Sequence, residues 1–182
     1  MSPALLEQVE RLYMLAKSDK WQNVWLALAG ERELAAACGR YAKPSSGWTF
    51  LHQAAHAGHE GSIRALIRLG ASLSLKSNEG ETAADVARRR GHGELARLMQ
   101  RAAESAGGLW DPPRDPDLLP SSSAWAEASE RRASRELRVA YGGGSVTIPA
   151  GGRYYVDSFE RAVIGWHGTY DPPSGMDGES MV

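Results

Sequence analysis

Apolar residues near the start of the chain recur at helical spacing. Leu5, Val9, Leu12 and Ala16 mark one amphipathic helix, and Trp21, Val24, Trp25 and Leu28 mark a second after the polar break "KSDK". Ile63, Leu66 and Ile67 trace another helical face that stops at Gly70, and "SNEG" at 77–80 reads as a tight turn at a loop tip. From Gly107 the pattern changes abruptly. The stretch "GGLWDPPRDPDLLPSSSAW" is rich in Pro, Asp, Gly and Ser and cannot continue a helix, so it marks a boundary or a wrapping segment. Next, "AWAEASERRASRE" contains good helix formers and a Glu127 to Arg131 pair four residues apart, which predicts a short helix. The period then shortens to two: "ELRVAY", "SVTIPA", "RYYVDS" and "RAVIGWHGTY", separated by "GGG", "GG" and "FE", predict three or four short antiparallel strands.

Within the helical part the chain repeats itself. Gly47, Thr49, Ala54, Gly58, His59 and Arg64 return as Gly80, Thr82, Ala87, Gly91, His92 and Arg97, each 33 residues on. A fixed period of this size means stacked supersecondary units. Thr49 and Thr82 stand where a hydroxyl caps a helix, with His52 or Asp85 three residues later placed to return the bond. Gly58 and Gly91 stand where one helix must end and the chain reverse, a turn that favours positive φ.

The 33-residue period, the Thr-x-x-His start and the internal Gly-His resemble the ankyrin repeat, closely over residues 47–101 and loosely over 1–46. The second unit departs from the family pattern, with Asp85 in place of its histidine and Ala83 in place of its usual proline. The expected fold is an α-helical ankyrin-repeat solenoid followed by a small antiparallel β module, α+β overall. In this reading residues 1–46 form a divergent or capping repeat, 47–106 the clear repeats, 107–125 a linker, and 126–182 the β module with an acidic tail.

A chain of 182 residues with 42% hydrophobic content can bury a real core. The 21 Lys and Arg nearly balance the 22 Asp and Glu, so no global basic field favours nucleic acid or membrane as partner. The single cysteine, Cys38, cannot form an internal disulfide, and the charged N-terminal region is neither a signal-peptide core nor a membrane span. A cytoplasmic protein, monomeric when free, is the expectation.

Three features invite a chemical reading. His52, His56 and His59 include a His-x3-His spacing that zinc accepts, but no carboxylate of the His-Glu-x-x-His kind accompanies them. The repeat register already assigns His52 and His59, which leaves no metal and no cofactor expected. "GWHGTY" at 165–170 contains a His-Gly-Thr that resembles a motif of ADP-ribosyltransferases, yet the few residues after Thr169 leave no room here for the strands that carry that family's stacking Tyr and catalytic Glu. Trp166 is instead expected to be a core or interface aromatic, with His167 its outward neighbour on a strand. The ending "YDPPSGMDGESMV" lacks the spacing of a calcium loop, and its acids beside aromatics suit a basic protein partner. "YGGGSVTIPAGG" lacks the Gly-Lys-Ser/Thr of a phosphate loop, and Ser121–Ser123 lack a nucleophile-elbow setting.

The ankyrin resemblance implies a non-enzymatic protein-binding module. Ankyrin proteins resembling this one occur among bacterial immunity proteins that neutralise a paired toxin, so the resemblance implies an inhibitor as the expected function and a toxin or effector as the expected partner. Contacts are expected from Trp48, His56, Asn78 and Glu79 in the repeats, and from Tyr154, Trp166, His167, Tyr170, Asp171, Asp177 and Glu179 in the tail. The alternative is a catalytic or ligand-binding β module delivered by the repeats, which requires Tyr154, Asp157, Trp166, His167 and Asp171 to converge on a concave pocket.

Overall fold

The computed structural model describes residues 1–113 and 115–173, and the chain divides into two compact units, Met1–Ala103 and Glu104–Val182. The first unit is helical: α1 (Pro3–Lys17), α2 (Trp21–Leu28), α3 (Arg32–Arg40), α4 (Phe50–Ala57), α5 (Glu60–Arg68), α6 (Ala83–Arg89) and α7 (Gly93–Glu104). Ser2 caps α1 by accepting from the Leu5 amide, and Pro3 opens the helix where its missing N–H costs nothing. Val9, Leu12 and Ala16 are buried on α1, as their spacing requires, and Trp21, Val24 and Leu28 are buried on α2. The core runs on through Tyr13, Phe50, Leu51, Ile63, Leu66, Ile67 and Met99. Tyr13 meets the rings of Phe50 and Tyr41 edge-on at 5.4 and 5.3 Å, and its hydroxyl accepts from Gln53 Nε2 at 2.6 Å.

Residues 31–46, the last part of the stretch read above as a divergent or capping repeat, hold the helix α3. Its buried face is Ala35, Ala37, Cys38 and Gly39, small residues that allow close backbone approach. A Cβ on Gly39 would stand 3.6 Å from the Leu69 carbonyl oxygen, ordinary contact distance.

The 33-residue repeat is visible in the connections as well as the helices. Ala42 bridges Thr49 across one turn, and Lys76 bridges Thr82 across the next. The two turns dock on each other: the Asn78 amide donates to the Ser46 carbonyl, and a Cβ on Gly47 (φ +69°) would lie 2.7 Å from the Asn78 nitrogen.

The second unit contains β1 (Ser121–Ser122), β2 (Ser129–Arg132), β3 (Leu137–Tyr141), β4 (Gly144–Ile148), β5 (Arg153–Val156) and β6 (Ala162–Val163), with 3-10 turns at Gly108–Trp110 and Trp125–Glu127. One sheet has the order β1-β6-β5-β2, and β3-β4 form a separate hairpin turned by Gly142 and Gly143, both at positive φ. Val139, Ile148, Ala162 and Ile164 form its core with Ala133, flanked by Trp110, Leu119, Tyr141, Tyr154 and Tyr170.

Three expectations are corrected here. The short helix expected in "AWAEASERRASRE" is a single 3-10 turn followed by strand β2, which pairs antiparallel with β5 from Ser129↔Val156 to Arg132↔Arg153. Pairing to an available sheet edge overrides the local helix propensity, and exposed Ser, Glu and Arg suit an edge strand. The β part is not wholly antiparallel, because β1 runs parallel to β6. Residues 107–125 are no linker: they supply β1, and Trp110 donates from Nε1 to the Ile164 carbonyl at 2.8 Å. A segment that packs its own tryptophan against the core and hydrogen-bonds through its backbone behaves as part of the domain, whatever its proline content.

Candidate protein-interaction site

The site is built on helix caps. Thr49 Oγ1 accepts from the His52 amide, and His52 Nδ1 accepts from the Thr49 amide at 3.2 Å, a reciprocal box at the start of α4. Since Nδ1 accepts, Nε2 carries the proton and donates to the Glu81 carbonyl at 3.0 Å. Both nitrogens of this buried ring are engaged, and burial holds its pKa below the ordinary histidine value. Thr82 and Asp85 repeat the box at α6, where hydrogen bonds from Thr82 and then from Arg88 depress the carboxyl. His59 caps α5 by accepting at Nδ1 from the Ser62 amide. Two of the three clustered histidines are therefore structural.

The third, His56, is half-buried near the C-terminal end of α4, with the Trp48 ring 5.6 Å away and tilted against it; Trp48 also stands 5.9 Å from His52. Trp48 thus covers the histidine face of α4 with its ring, while its carbonyl accepts from the Lys43 amide. Burial lowers the His56 pKa, and the positive charges of Arg90 and Arg89 and the neighbouring His92 lower it further. His92 belongs to this cluster by contact too: at Gly58 (φ +71°), the left-handed cap of α4, a Cβ would fall 2.6 Å from the His92 ring. Sequence reasoning missed Arg90 and His92, although "RRRGH" at 88–92 is a visible basic run.

The remaining candidates divide. Asn78 is exposed, but its amide and side chain bind Ser46 and Pro44, so it joins two turns rather than standing idle for a partner. Glu79 is exposed at the same turn. In the second unit Tyr154 and Tyr170 pack against the core, which consumes them. Trp166, expected as a core or interface aromatic, is 70% exposed and belongs to no strand. The reason is local: its carbonyl accepts from the Tyr141 hydroxyl, and the Tyr141 ring lies against Gly168, so the 165–169 turn is clamped with the indole outside. His167 and Asp171 are exposed beside it, and Asp177 and Glu179 lie outside the described residues.

The five residues required by the ligand-site alternative do not converge. Asp157 is buried in an ion pair with Arg161, and none of the five lines the cavity of about 610 Å³ beside Leu109, Arg138 and Tyr141. The first unit carries its own apolar groove of about 510 Å³ between α2 and α5, lined by Trp25, Leu28, Ala65 and Leu69. Among the described residues no helix is long and apolar enough to cross a membrane.

No curated protein matches the chain. Residues 51–100 match the family model described as ankyrin repeats, many copies, which spans α4 to α7 with both glycine turns and the second capping box. That segment of the chain is made of ankyrin repeats, and these indicate a protein-interaction module.

Proposed function

We propose that the chain is a non-enzymatic, cytoplasmic inhibitor that binds another protein directly, of the kind that neutralises a paired bacterial toxin. The observation that carries this reading is the division of labour in the repeats. Caps and turns take up His52, His59, Asp85 and Asn78, while Trp48 stands against a half-buried His56, an exposed Arg90 acts on that histidine, and Glu79 is exposed at the turn of the next repeat. A stack in which each unit touches only its neighbours offers an extended surface, suited to a protein and poorly suited to enclosing a reacting small molecule. The clamped, exposed Trp166 of the second unit adds a large rigid aromatic of the type enriched at binding hot spots.

The test joins recovery of a partner to its activity. The tagged chain is cross-linked and purified from its native cell, the partner is identified by mass spectrometry, and the partner is then expressed with and without the chain. Growth arrest by the partner alone, relieved by the wild-type chain, is the expected result. A partner that is harmless when expressed alone would leave an adaptor and remove the inhibitor.

A further inference from the structure

We propose that the face made by Trp48, His56, Arg90 and His92 binds a carboxylate-rich segment of a partner protein. This rests on the protein-binding reading above and names the chemistry of the partner at one place.

The four side chains gather where two neighbouring helices end. α4 packs against α6; His56 precedes the last residue of α4, and Arg90 is the C-cap of α6. The His92 ring covers the Gly58 turn that follows α4, and Trp48 stands against His56. From Gly80 to Ala103 the chain carries five arginines and three carboxylates, and Glu79 and Glu104 flank the stretch. Those three are occupied: Glu81 takes Arg89 at 2.8 and 2.9 Å, Asp85 takes Arg88 at 2.8 Å, and Glu94 takes Arg97. Arg101 also has partners. Arg90 makes no ion pair among the described residues, and it is exposed. What remains is one unmatched guanidinium, with two imidazoles and an indole wall beside it: a single cation with an aromatic edge. The carbonyl ends of the two helices offset part of this charge, but the exposed Arg90 guanidinium still presents its N–H fork to a carboxylate.

The shape of the field selects among anions. Glu79, Glu81 and Asp85 lie close by, near enough that Glu79 and Glu81 both act on Arg89 and Asp85 acts on Glu81. A continuous phosphate backbone would meet those carboxylates, whereas a peptide can place one or two acidic side chains on Arg90 and lay its apolar part on Trp48. The groups facing His56 are Arg89, already matched by Glu81, together with Arg90, His92, Trp48 and the neutral His52 of its own helix. A docked carboxylate supplies the negative charge this set lacks and draws a proton onto His56, so affinity rises as the pH falls through the histidine range.

The experiment titrates hexaglutamate into the full chain at low salt and follows backbone, indole and imidazole signals by NMR. Shifts confined to Trp48, His56, Arg90 and His92 are expected, with binding roughly threefold tighter near pH 6 than near pH 7.5. Arg90→Gln and, more strongly, Arg90→Glu should weaken it by about tenfold or more while the melting temperature holds. Shifts elsewhere or none, an equal response to hexalysine, or tighter engagement of the same residues by oligothymidylate would each overturn the proposal. A natural partner held equally well by the Arg90→Glu chain would also overturn it, and would leave the general protein-binding reading standing.

Discussion

His52 of one repeat donates from Nε2 to the main-chain carbonyl of Glu81, 3.0 Å away at the threshold of the next. The same ring caps its own helix through Nδ1, so one imidazole joins local and long-range structure. That arrangement works only with the ring neutral, because a protonated Nδ1 cannot accept.

A pH dependence follows. Burial, the largest influence, holds His52 below its ordinary pKa, against the opposing pull of Glu81. The unfolded chain therefore takes up its proton first, near pH 6.5. The stabilisation is complete above that value and is lost as pH falls below it toward the folded pKa. The melting temperature should drop between about pH 7.5 and 5.5, and His56, shifted the same way, adds to the slope. His52→Gln should lower the melting temperature at the upper pH and flatten the slope; a slope unchanged by the substitution would contradict this account.

The two repeat glycines should respond unequally to alanine. Gly58 and Gly91 both adopt positive φ, +71° and +85°, but a Cβ on Gly58 runs into the His92 ring at 2.6 Å whereas one on Gly91 meets nothing within 4 Å. Gly91→Ala should cost about 1 kcal/mol from backbone strain alone. Gly58→Ala should cost more, since His92 must also move, and pairing it with His92→Ala should recover the difference. Denaturant unfolding measures all three, and equal losses for the two single variants would refute the steric part.

In the second unit the Asp157 and Arg161 side chains are 0% and 3% exposed, and Nε donates to Oδ2 at 2.8 Å. Oδ1 accepts from the Phe159 and Arg161 amides, and Arg161 Nη2 donates to Ser105, so the pair closes a tight loop and holds the turn at Ser105. Arg161→Met should destabilise by about 3–5 kcal/mol because it strands a buried carboxylate. Adding Asp157→Asn should restore part of that loss, as read by chemical denaturation; a double variant weaker than the sum of both singles would count against the buried-charge explanation.

Cys38 is buried in α3, and burial raises its thiol to about pKa 12. The thiolate is the reactive form. Iodoacetamide at about pH 8 should leave the native protein unmodified and label it fully in denaturant; rapid labelling of the folded chain would show that α3 opens readily.

How much of this was written in the sequence depends on the range of the interaction involved. The Thr49–His52 and Thr82–Asp85 caps and the glycine turns are set within four residues of backbone, and were legible because residue chemistry alone dictates the local conformation; the 33-residue spacing is their recurrence along the chain. The helical faces of α1, α2 and α5 were legible for the same reason: periodicity reports burial directly. What depended on distant partners was not. "SERR" became a strand because β5 presented an edge, β1 found β6 across some forty residues, and Trp110 entered a core assembled from segments far along the chain. Asn78 was consumed by a turn from the preceding repeat, and Trp166 was turned outward by Tyr141, neither of which any short window records. Arg90 gained meaning only when Arg88 and Arg89 were found matched and His56 and His92 were found beside it. Local backbone preference was determined by the sequence itself; which side chains were spent on packing and which were left for a partner was decided by tertiary structure, because that choice turns on neighbours that folding alone brings together.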